Sequence, residues 1–261
     1  MSISENDIVD LLFPYVRSVL GAKNKETPKF VGSGIVLKDH GNLYLVTAGH
    51  VMDHFNHEID RFNKDKFPLF LDGVNGLVAI SGEEVSSYTD EPIHRRDDNH
   101  DISIVKLSNE IQASLNPTYL INSDKMDLLG EHESQLGYFC VGVPANKGNK
   151  SIDKNNSLIT PEPYGVRANE SETGIYKKLN VNKLTHLALS FNVKKAFSKD
   201  NVKRTAPALN GLSGAPIWGF IKKSDTEIQP VIVAILTGYH QKDIKAILGT
   251  RIGEVFRDIS L

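Results

Sequence analysis

A histidine, an aspartate and a serine in this chain have local sequences that suit nucleophilic acyl transfer. They are His50, Asp101 and Ser213, in that order, and each adjoins an apolar run typical of a β-strand. A serine hydroxyl becomes a nucleophile when a nearby base takes its proton, and a carboxylate can fix the tautomer of that base. The three residue types in this order therefore predict a catalytic site.

Asp101 is the best candidate among three nearby aspartates because of its position in the sequence. Asp101 directly precedes the apolar run Ile102–Leu107, which would place its carboxylate at the rim of a sheet. Asp97 and Asp98 lie close by and are rivals, but neither adjoins the run. A turn of small residues before His50 would let its ring project from a strand end into the same cleft.

The turn around the serine is the sharpest signal. Ser213 stands in Gly211-Leu212-Ser213-Gly214, and its flanking glycines permit backbone angles that other residues resist. Such a turn can direct the N–H groups of Gly211 and Ser213 at one point. Two donors of this kind form an oxyanion hole, in which loss of one donor typically costs about 2.7–4 kcal/mol of barrier lowering.

Four segments together resemble the chymotrypsin-like (trypsin-fold) serine peptidases, in particular bacterial trypsin-like and HtrA-type proteases. The segments are Val31–Leu37, Thr47–Val51, Asp101–Leu107 and Leu212–Pro216. The resemblance, which covers roughly Phe30 to Gly249, implies an all-β fold of two antiparallel six-stranded barrels with the site in the cleft between them. It also implies a serine endopeptidase that forms an acyl-enzyme on a protein or peptide substrate and needs no metal or organic cofactor.

The sequence departs from the family pattern at three positions. Gly49 stands where alanine is usual, Ala215 where a second glycine is common, and Leu212 where zymogen-activated members have an aspartate. Activation through an ion pair between that aspartate and a new N-terminus is therefore not expected. The HtrA-type proteases also carry a PDZ domain, for which no residues remain here, so a stand-alone peptidase domain is expected.

The resemblance also implies where substrate would bind. Thr237 and Gly238 are the expected substrate-binding residues, since the glycine would allow an extended peptide to approach the backbone closely. Thr205, Pro207 and Ala208 are expected in the wall of the primary pocket. No acidic residue lies in that wall, which disfavours a preference for Lys or Arg.

Composition argues against several classes of protein. A net charge of −2, from 30 basic and 32 acidic residues, disfavours a nucleic-acid partner. No apolar run approaches the roughly 20 residues that cross a bilayer, and the acidic N-terminus is unlike a signal peptide, so no membrane contact is expected. The single cysteine, Cys140, allows no intramolecular disulfide and lies in a strand-like run, which favours core packing and a cytoplasmic location.

The elements that must position these residues are short strands. Apolar runs separated by Gly, Asn, Asp and Lys predict strands at 30–37, 43–47, 67–71, 77–80, 102–107, 135–143, 186–191, 215–220 and 230–236. Apolar residues at helical spacing predict a helix over Asn6–Leu20, with Pro14 awkward in its interior. The polar stretch 146–183 is expected to be mostly loop, and a short helix is expected at about 252–259.

These elements suggest a division of the chain. An N-terminal helical extension at 1–24 precedes a peptidase domain at 25–261. The domain would comprise a first barrel at about 25–110, a linker at 111–134 and a second barrel at about 135–261. Short strands with frequent turns favour barrels or a sandwich over a parallel βαβ sheet.

Three other interpretations fit parts of the sequence. An α/β-hydrolase would use Ser213 in its nucleophile elbow, but that fold places the aspartate and histidine after the serine. A zinc enzyme would use His50 and His54, but Val51 stands where the motif needs a glutamate. The main alternative is a protease fold that is latent until a protein partner activates it, or that serves as a binding module.

Overall fold

The computed structural model describes residues 5–21, 28–52, 69–80, 82–86, 100–130, 134, 136–149, 152–153, 158–191, 196–198, 203–204, 209, 211–224, 227–240 and 244–259. Six α-helices lie within these ranges: α1 (Glu5–Leu12), α2 (Gly49–Met52), α3 (Asn109–Gln112), α4 (Ala145–Gly148), α5 (Thr173–Leu179) and α6 (Ile252–Ile259). The strands of the first half are β1 (Arg17–Gly21), β2 (Lys29–Asp39), β3 (Asn42–Ala48), β4 (Leu69–Gly73), β5 (Gly76–Ala79), β6 (Gly82–Ser86) and β7 (Ile102–Leu107). Those of the second half are β8 (Tyr138–Gly142), β9 (Ile152–Asp153), β10 (Leu158–Ile159), β11 (Tyr164–Glu170), β12 (His186–Ser190), β13 (Ala196–Ser198), β14 (Lys203–Arg204), β15 (Pro216–Lys222), β16 (Ile228–His240) and β17 (Ala246–Arg251).

The first lobe is an antiparallel sheet in the order β5-β4-β1-β2-β3-β7-β6. Side chains along β2 alternate between two cores, because successive residues of a strand point to opposite faces. Val36 packs inside the first lobe with Leu45 and Val105. Ile35 and Leu37 pack in a different cluster, which includes side chains of the second lobe. The strand β2, which pairs with the strand that leads to His50, is therefore buried on both faces.

The second lobe is built on strands in the order β12-β17-β16-β15-β8-β11-β13-β14. An additional pairing of β11 with β12, which includes Glu170 opposite Leu189, closes six of these strands into a barrel. Its interior is apolar and contains Cys140, Val166 and Ile217 among its fully buried residues. The barrel gives the serine turn, which precedes β15, a rigid support.

An apolar layer joins the two lobes. It contains Val46 and Ile104 from the first sheet and Phe139 and Trp218 from the second. The helices α1 and α6 cover this layer, and their residues in the same cluster are Ile8, Val9, Leu12, Ile252 and Val255. The apolar face of α1 is therefore used in the core of the protein.

The N-terminal segment differs from the predicted helix over Asn6–Leu20. The helix ends at Leu12, a 3₁₀ turn follows at Phe13–Tyr15, and β1 begins at Arg17. Pro14 explains the end of the helix, since it lacks an N–H and its ring clashes with the preceding turn. All five residues of β1 are buried between β2 and β4, so this segment has no polar face for a helix to expose.

The loop expected at 146–183 also differs, because the stretch contains β11 and α5. The strand β11 pairs with β8 and β13 and completes the barrel. Polar residues alternate with buried ones along β11, which lowers the mean hydropathy without weakening the strand. The predicted helix near the end of the chain is present as α6.

The expected fold class is confirmed in its coarse form, since the chain is mostly β with few helices. One closed six-stranded barrel is present in the second lobe. The first sheet has seven strands, and across the described ranges no pairing joins its edge strands β5 and β6, so two barrels are not confirmed. Among the helices in these ranges, none has both the length and the apolar character of a transmembrane span.

Candidate active site

His50 and Asp101 are in direct contact. Ala48 at the end of β3 pairs with Ile102 at the start of β7, so residues just beyond each end meet at one edge of the sheet. The Nδ1 atom of His50 lies 2.6 Å from Oδ2 of Asp101, and the backbone N–H of His50 donates to Oδ1 at 2.9 Å. Strand pairing therefore brings together two residues 51 positions apart in the sequence.

The backbone around this pair is unusual at Asp101 and crowded at Gly49. Asp101 has a φ of 49°, in the left-handed region that non-glycine residues seldom adopt. Its carbonyl accepts the Gly49 N–H at 2.7 Å. A Cβ at Gly49 would lie 2.9 Å from Oδ1 of Asp101, closer than ordinary contact. This crowding gives a physical reason for a glycine at position 49.

Ser213 lies in a tight turn that leads into β15. The glycines before and after it have φ angles of 96° at Gly211 and 85° at Gly214, which explains why both are glycine. The Gly214 N–H donates to the Leu236 carbonyl at 2.7 Å, and the Ala215 N–H donates to the Leu212 carbonyl at 2.9 Å. These bonds fix the turn to β16 and to itself.

The serine turn rests against the part of the first lobe that carries the histidine. Gly32 marks the contact, because a Cβ there would lie 2.5 Å from a methyl group of Val51 and 3.1 Å from the Ser213 carbonyl oxygen. Val51 follows His50 in α2. The structure thus brings the backbone of Ser213 to the start of the histidine helix, 163 positions away in the sequence from His50.

None of the three residues is fully buried. The His50 side chain is 42% exposed and that of Asp101 24% exposed, while Ser213 is partly buried. Asp97 and Asp98, the rival carboxylates, lie outside the described residues.

The two expected oxyanion donors have no competing acceptor in the described parts of the chain. There, neither the Gly211 N–H nor the Ser213 N–H donates a hydrogen bond to another residue. Their carbonyls, in contrast, are both held by Ser33: its N–H donates to the Ser213 carbonyl at 2.8 Å, and its Oγ donates to the Gly211 carbonyl at 2.9 Å.

The expected substrate-binding residues lie beside the serine turn. Thr237 and Gly238 follow Leu236, whose carbonyl accepts the Gly214 N–H. The Thr237 side chain is buried and its hydroxyl donates to the Leu248 carbonyl at 3.4 Å, whereas Gly238 is partly exposed. The pocket-wall positions 205, 207 and 208 lie outside the described residues.

A cysteine nucleophile and a metal centre are the two other kinds of reactive site to consider. Burial raises the pKa of the Cys140 thiol to about 12, so a thiolate is disfavoured there. In the described ranges, no three His, Cys, Asp or Glu side chains are grouped so that they could hold a metal ion.

Sequence reasoning missed one residue of this site, Ser33. It is fully buried, and its hydrogen bonds connect the first lobe to the serine turn. The available signal was a polar residue between two glycines, Gly32 and Gly34, inside an otherwise apolar strand. A buried hydroxyl in such a strand needs a partner, which here is 178 positions away.

No protein-family model and no curated protein matches this sequence. Among solved structures, the chain is similar to the serine endoprotease from Yersinia pestis, with a TM-score of 0.55 and 15% sequence identity. The match covers 100% of this chain and 66% of that chain, so the present chain spans just under two thirds of its length. At this identity the likeness shows the fold alone, which is protease-like and mostly β.

Proposed function

We propose that this chain is a trypsin-like serine endopeptidase that hydrolyses peptide bonds through an acyl-enzyme on Ser213. The observation that carries the proposal is the double contact of Asp101 with His50, at the ring and at the backbone. A carboxylate on Nδ1 leaves Nε2 as the basic nitrogen, which is the tautomer a general base requires. His50 is therefore the proposed base and Asp101 the residue that orients it.

The reaction would proceed in two steps. The Ser213 Oγ attacks the peptide carbonyl while His50 takes the hydroxyl proton, and His50 then gives that proton to the leaving amine as the C–N bond breaks. Water next attacks the ester, with His50 again taking and returning a proton, and the carboxylic acid product leaves. These two steps balance in atoms and protons without a cofactor.

The proposed oxyanion hole consists of the Gly211 and Ser213 N–H groups. Its support is the positive φ at Gly211 and the absence, within the described residues, of internal acceptors for these two donors. Thr237 and Gly238 are the proposed substrate-binding residues. They directly follow Leu236, the residue of β16 whose backbone is hydrogen-bonded to the serine turn. Gly238 itself adds no side chain beside an extended peptide, and the His240 and Leu248 side chains lie 3.7 Å and 3.8 Å from where a Cβ would be.

The domain division and the compartment belong to the same proposal. Residues at about 25–110, together with β1 of the N-terminal segment, and residues at about 135–261 would form the two lobes of the peptidase, joined by the linker 111–134. A reducing, cytoplasmic location is supported by the single cysteine, which permits no intramolecular disulfide.

The test is covalent labelling with a fluorophosphonate, which phosphonylates an activated serine with loss of fluoride. We expect one adduct on the wild-type protein by intact mass and none on Ser213→Ala. Ser123→Ala removes an exposed serine far from the site in sequence and serves as the matched control, which should label like wild type. A folded wild-type protein that does not label would contradict the proposal and favour a latent protease fold or a binding module.

A further inference from the structure

Ser33 occupies an exceptional place for a small polar side chain. It lies on β2, at the face of the first sheet that contacts the serine turn, and has no exposed surface. Burying a hydroxyl in an apolar layer is unfavourable unless hydrogen bonds replace those made with water. The positions of these bonds therefore indicate what the residue does.

Three hydrogen bonds connect Ser33 to the proposed catalytic machinery. Its N–H donates to the Ser213 carbonyl at 2.8 Å, and its Oγ donates to the Gly211 carbonyl at 2.9 Å. Its own carbonyl accepts the Thr47 hydroxyl at 2.6 Å. Thr47 lies three positions before His50, so one residue links the serine turn to the strand that carries the histidine.

The contacts around Ser33 leave little freedom for the turn. A Cβ at Gly214 would overlap both the Ser33 carbonyl oxygen and the Thr47 hydroxyl. A Cβ at Gly142 would lie 2.5 Å from the Leu212 side chain and 3.3 Å from the Ser33 Oγ. The turn is therefore packed directly against Ser33 without intervening side chains.

The two carbonyls that Ser33 holds belong to the two residues whose N–H groups form the proposed oxyanion hole. A hydrogen bond to a carbonyl restrains the peptide plane that follows its residue, and this limits how the preceding plane, which carries that residue's N–H, can turn. Loss of the Ser33 Oγ would release Gly211, which has no side chain of its own to restrain it.

We propose that Ser33 is a positioning residue that orients the oxyanion hole relative to His50, acting through Gly211 and Ser213. This inference rests on the proposed function, because it concerns a step of that reaction. A hole that is misplaced weakens stabilisation of the transition state without weakening binding of the ground state.

The experiment measures fluorophosphonate labelling as a function of probe concentration, which separates the maximal rate (kinact) from the half-saturating concentration (KI). Ser33→Ala keeps the bond from the residue 33 N–H and removes only the hydroxyl. Complete loss of an oxyanion donor typically lowers kcat by about 10²–10³, so we expect this misplacement to lower kinact by at least about tenfold and leave KI unchanged. Ser33→Cys, which keeps a weak donor, should fall between wild type and Ser33→Ala, and carries the test if Ser33→Ala does not fold.

The matched control is Ser18→Ala. Ser18 is the β1 partner of Ser33 and is 2% exposed. Its substitution by alanine therefore removes a buried serine hydroxyl from the same sheet. We expect its kinact to stay close to wild type even if its thermal stability falls as far as that of Ser33→Ala. Equal labelling rates in the two variants would overturn the positioning role and leave the proposed function intact.

A second readout does not depend on activity. The amides of Leu212, Gly214 and Ala215 are hydrogen-bonded within the turn or to β16, so they should be protected from hydrogen exchange. We expect their exchange to quicken in Ser33→Ala and not in Ser18→Ala. Unchanged exchange would show that Ser33 does not hold the turn. Failure of the wild type to label would overturn the proposed function and the positioning role of Ser33 in that reaction together, even if exchange at the turn quickens.

Discussion

Asp101 holds His50 at two points: one carboxylate oxygen lies 2.6 Å from the ring Nδ1, and the other accepts the backbone N–H at 2.9 Å. The carboxylate therefore fixes both the orientation of the ring and the place where α2 begins. Asp101 is itself restrained, because its carbonyl accepts the Gly49 N–H. Removing this one side chain would loosen the ring and the backbone together.

We expect Asp101→Asn to lower the labelling or turnover rate by roughly 10⁴-fold, as in the serine-protease template, because an amide can favour the wrong histidine tautomer. The control is Asp39→Asn, which removes another carboxylate 2.8 Å from a histidine Nδ1, that of exposed His40. Asp39→Asn should leave the rate near that of wild type. A rate for Asp101→Asn within a few fold of wild type would argue against its proposed role.

Gly214→Ala is expected to disrupt the serine turn. Its φ of 85° strains any other residue by about 1–3 kcal/mol. A Cβ would also overlap the Ser33 carbonyl and the Thr47 hydroxyl, and overpacking of this kind typically costs about a further 1–3 kcal/mol. Urea unfolding should show the loss in the free energy of unfolding, and labelling should show a loss of the activated serine.

Gly41→Ala is the control for Gly214→Ala, because it introduces the backbone strain without the crowding. Gly41 has a similar φ of 82°, but a Cβ there would meet no atom within 4 Å. Only the backbone strain applies, so we expect a loss of about 1–3 kcal/mol and normal labelling. Equal losses of stability in the two variants would mean that contact with Ser33 and Thr47 does not constrain the turn.

Asp72 should make stability depend on pH in the acid range. Burial raises the pKa of Asp72 to about 6 from its ordinary value of 3.8, although the Arg17 guanidinium and the Ser18 N–H oppose the rise. The folded protein therefore keeps a proton on Asp72 that the unfolded chain releases first. This contribution to stability is complete below about pH 4 and is lost as pH rises through about 6.

The measurement is the free energy of unfolding in urea for wild type and Asp72→Asn between about pH 4 and 7. At about 1.36 kcal/mol per pKa unit, the wild type should lose about 3 kcal/mol relative to the variant over this range. Asp124→Asn, which neutralises an exposed carboxylate, should run parallel to the wild type. A wild-type curve parallel to that of Asp72→Asn would show that Asp72 ionises at its ordinary pKa in the folded protein.

Local patterns in the sequence were sufficient to predict most strands that flank the site. The apolar runs at 30–37, 43–47 and 102–107 correspond to β2, β3 and β7. They were readable because each is bounded by turn residues and buried along its length. The apolar residues of β1 continue the helical spacing of α1, so the sequence predicts a helix there, and only burial between β2 and β4 decides that the segment is a strand.

The sequence by itself determined the residue types at the candidate site and their order along the chain. His50, Asp101 and Ser213 could be proposed because each stands at the end of an apolar run or between glycines. Only the tertiary structure decided that Asp101 contacts His50 and that Ser33 holds the serine turn. These contacts join residues far apart in sequence, and they depend on strand pairing and lobe packing, which no local pattern encodes.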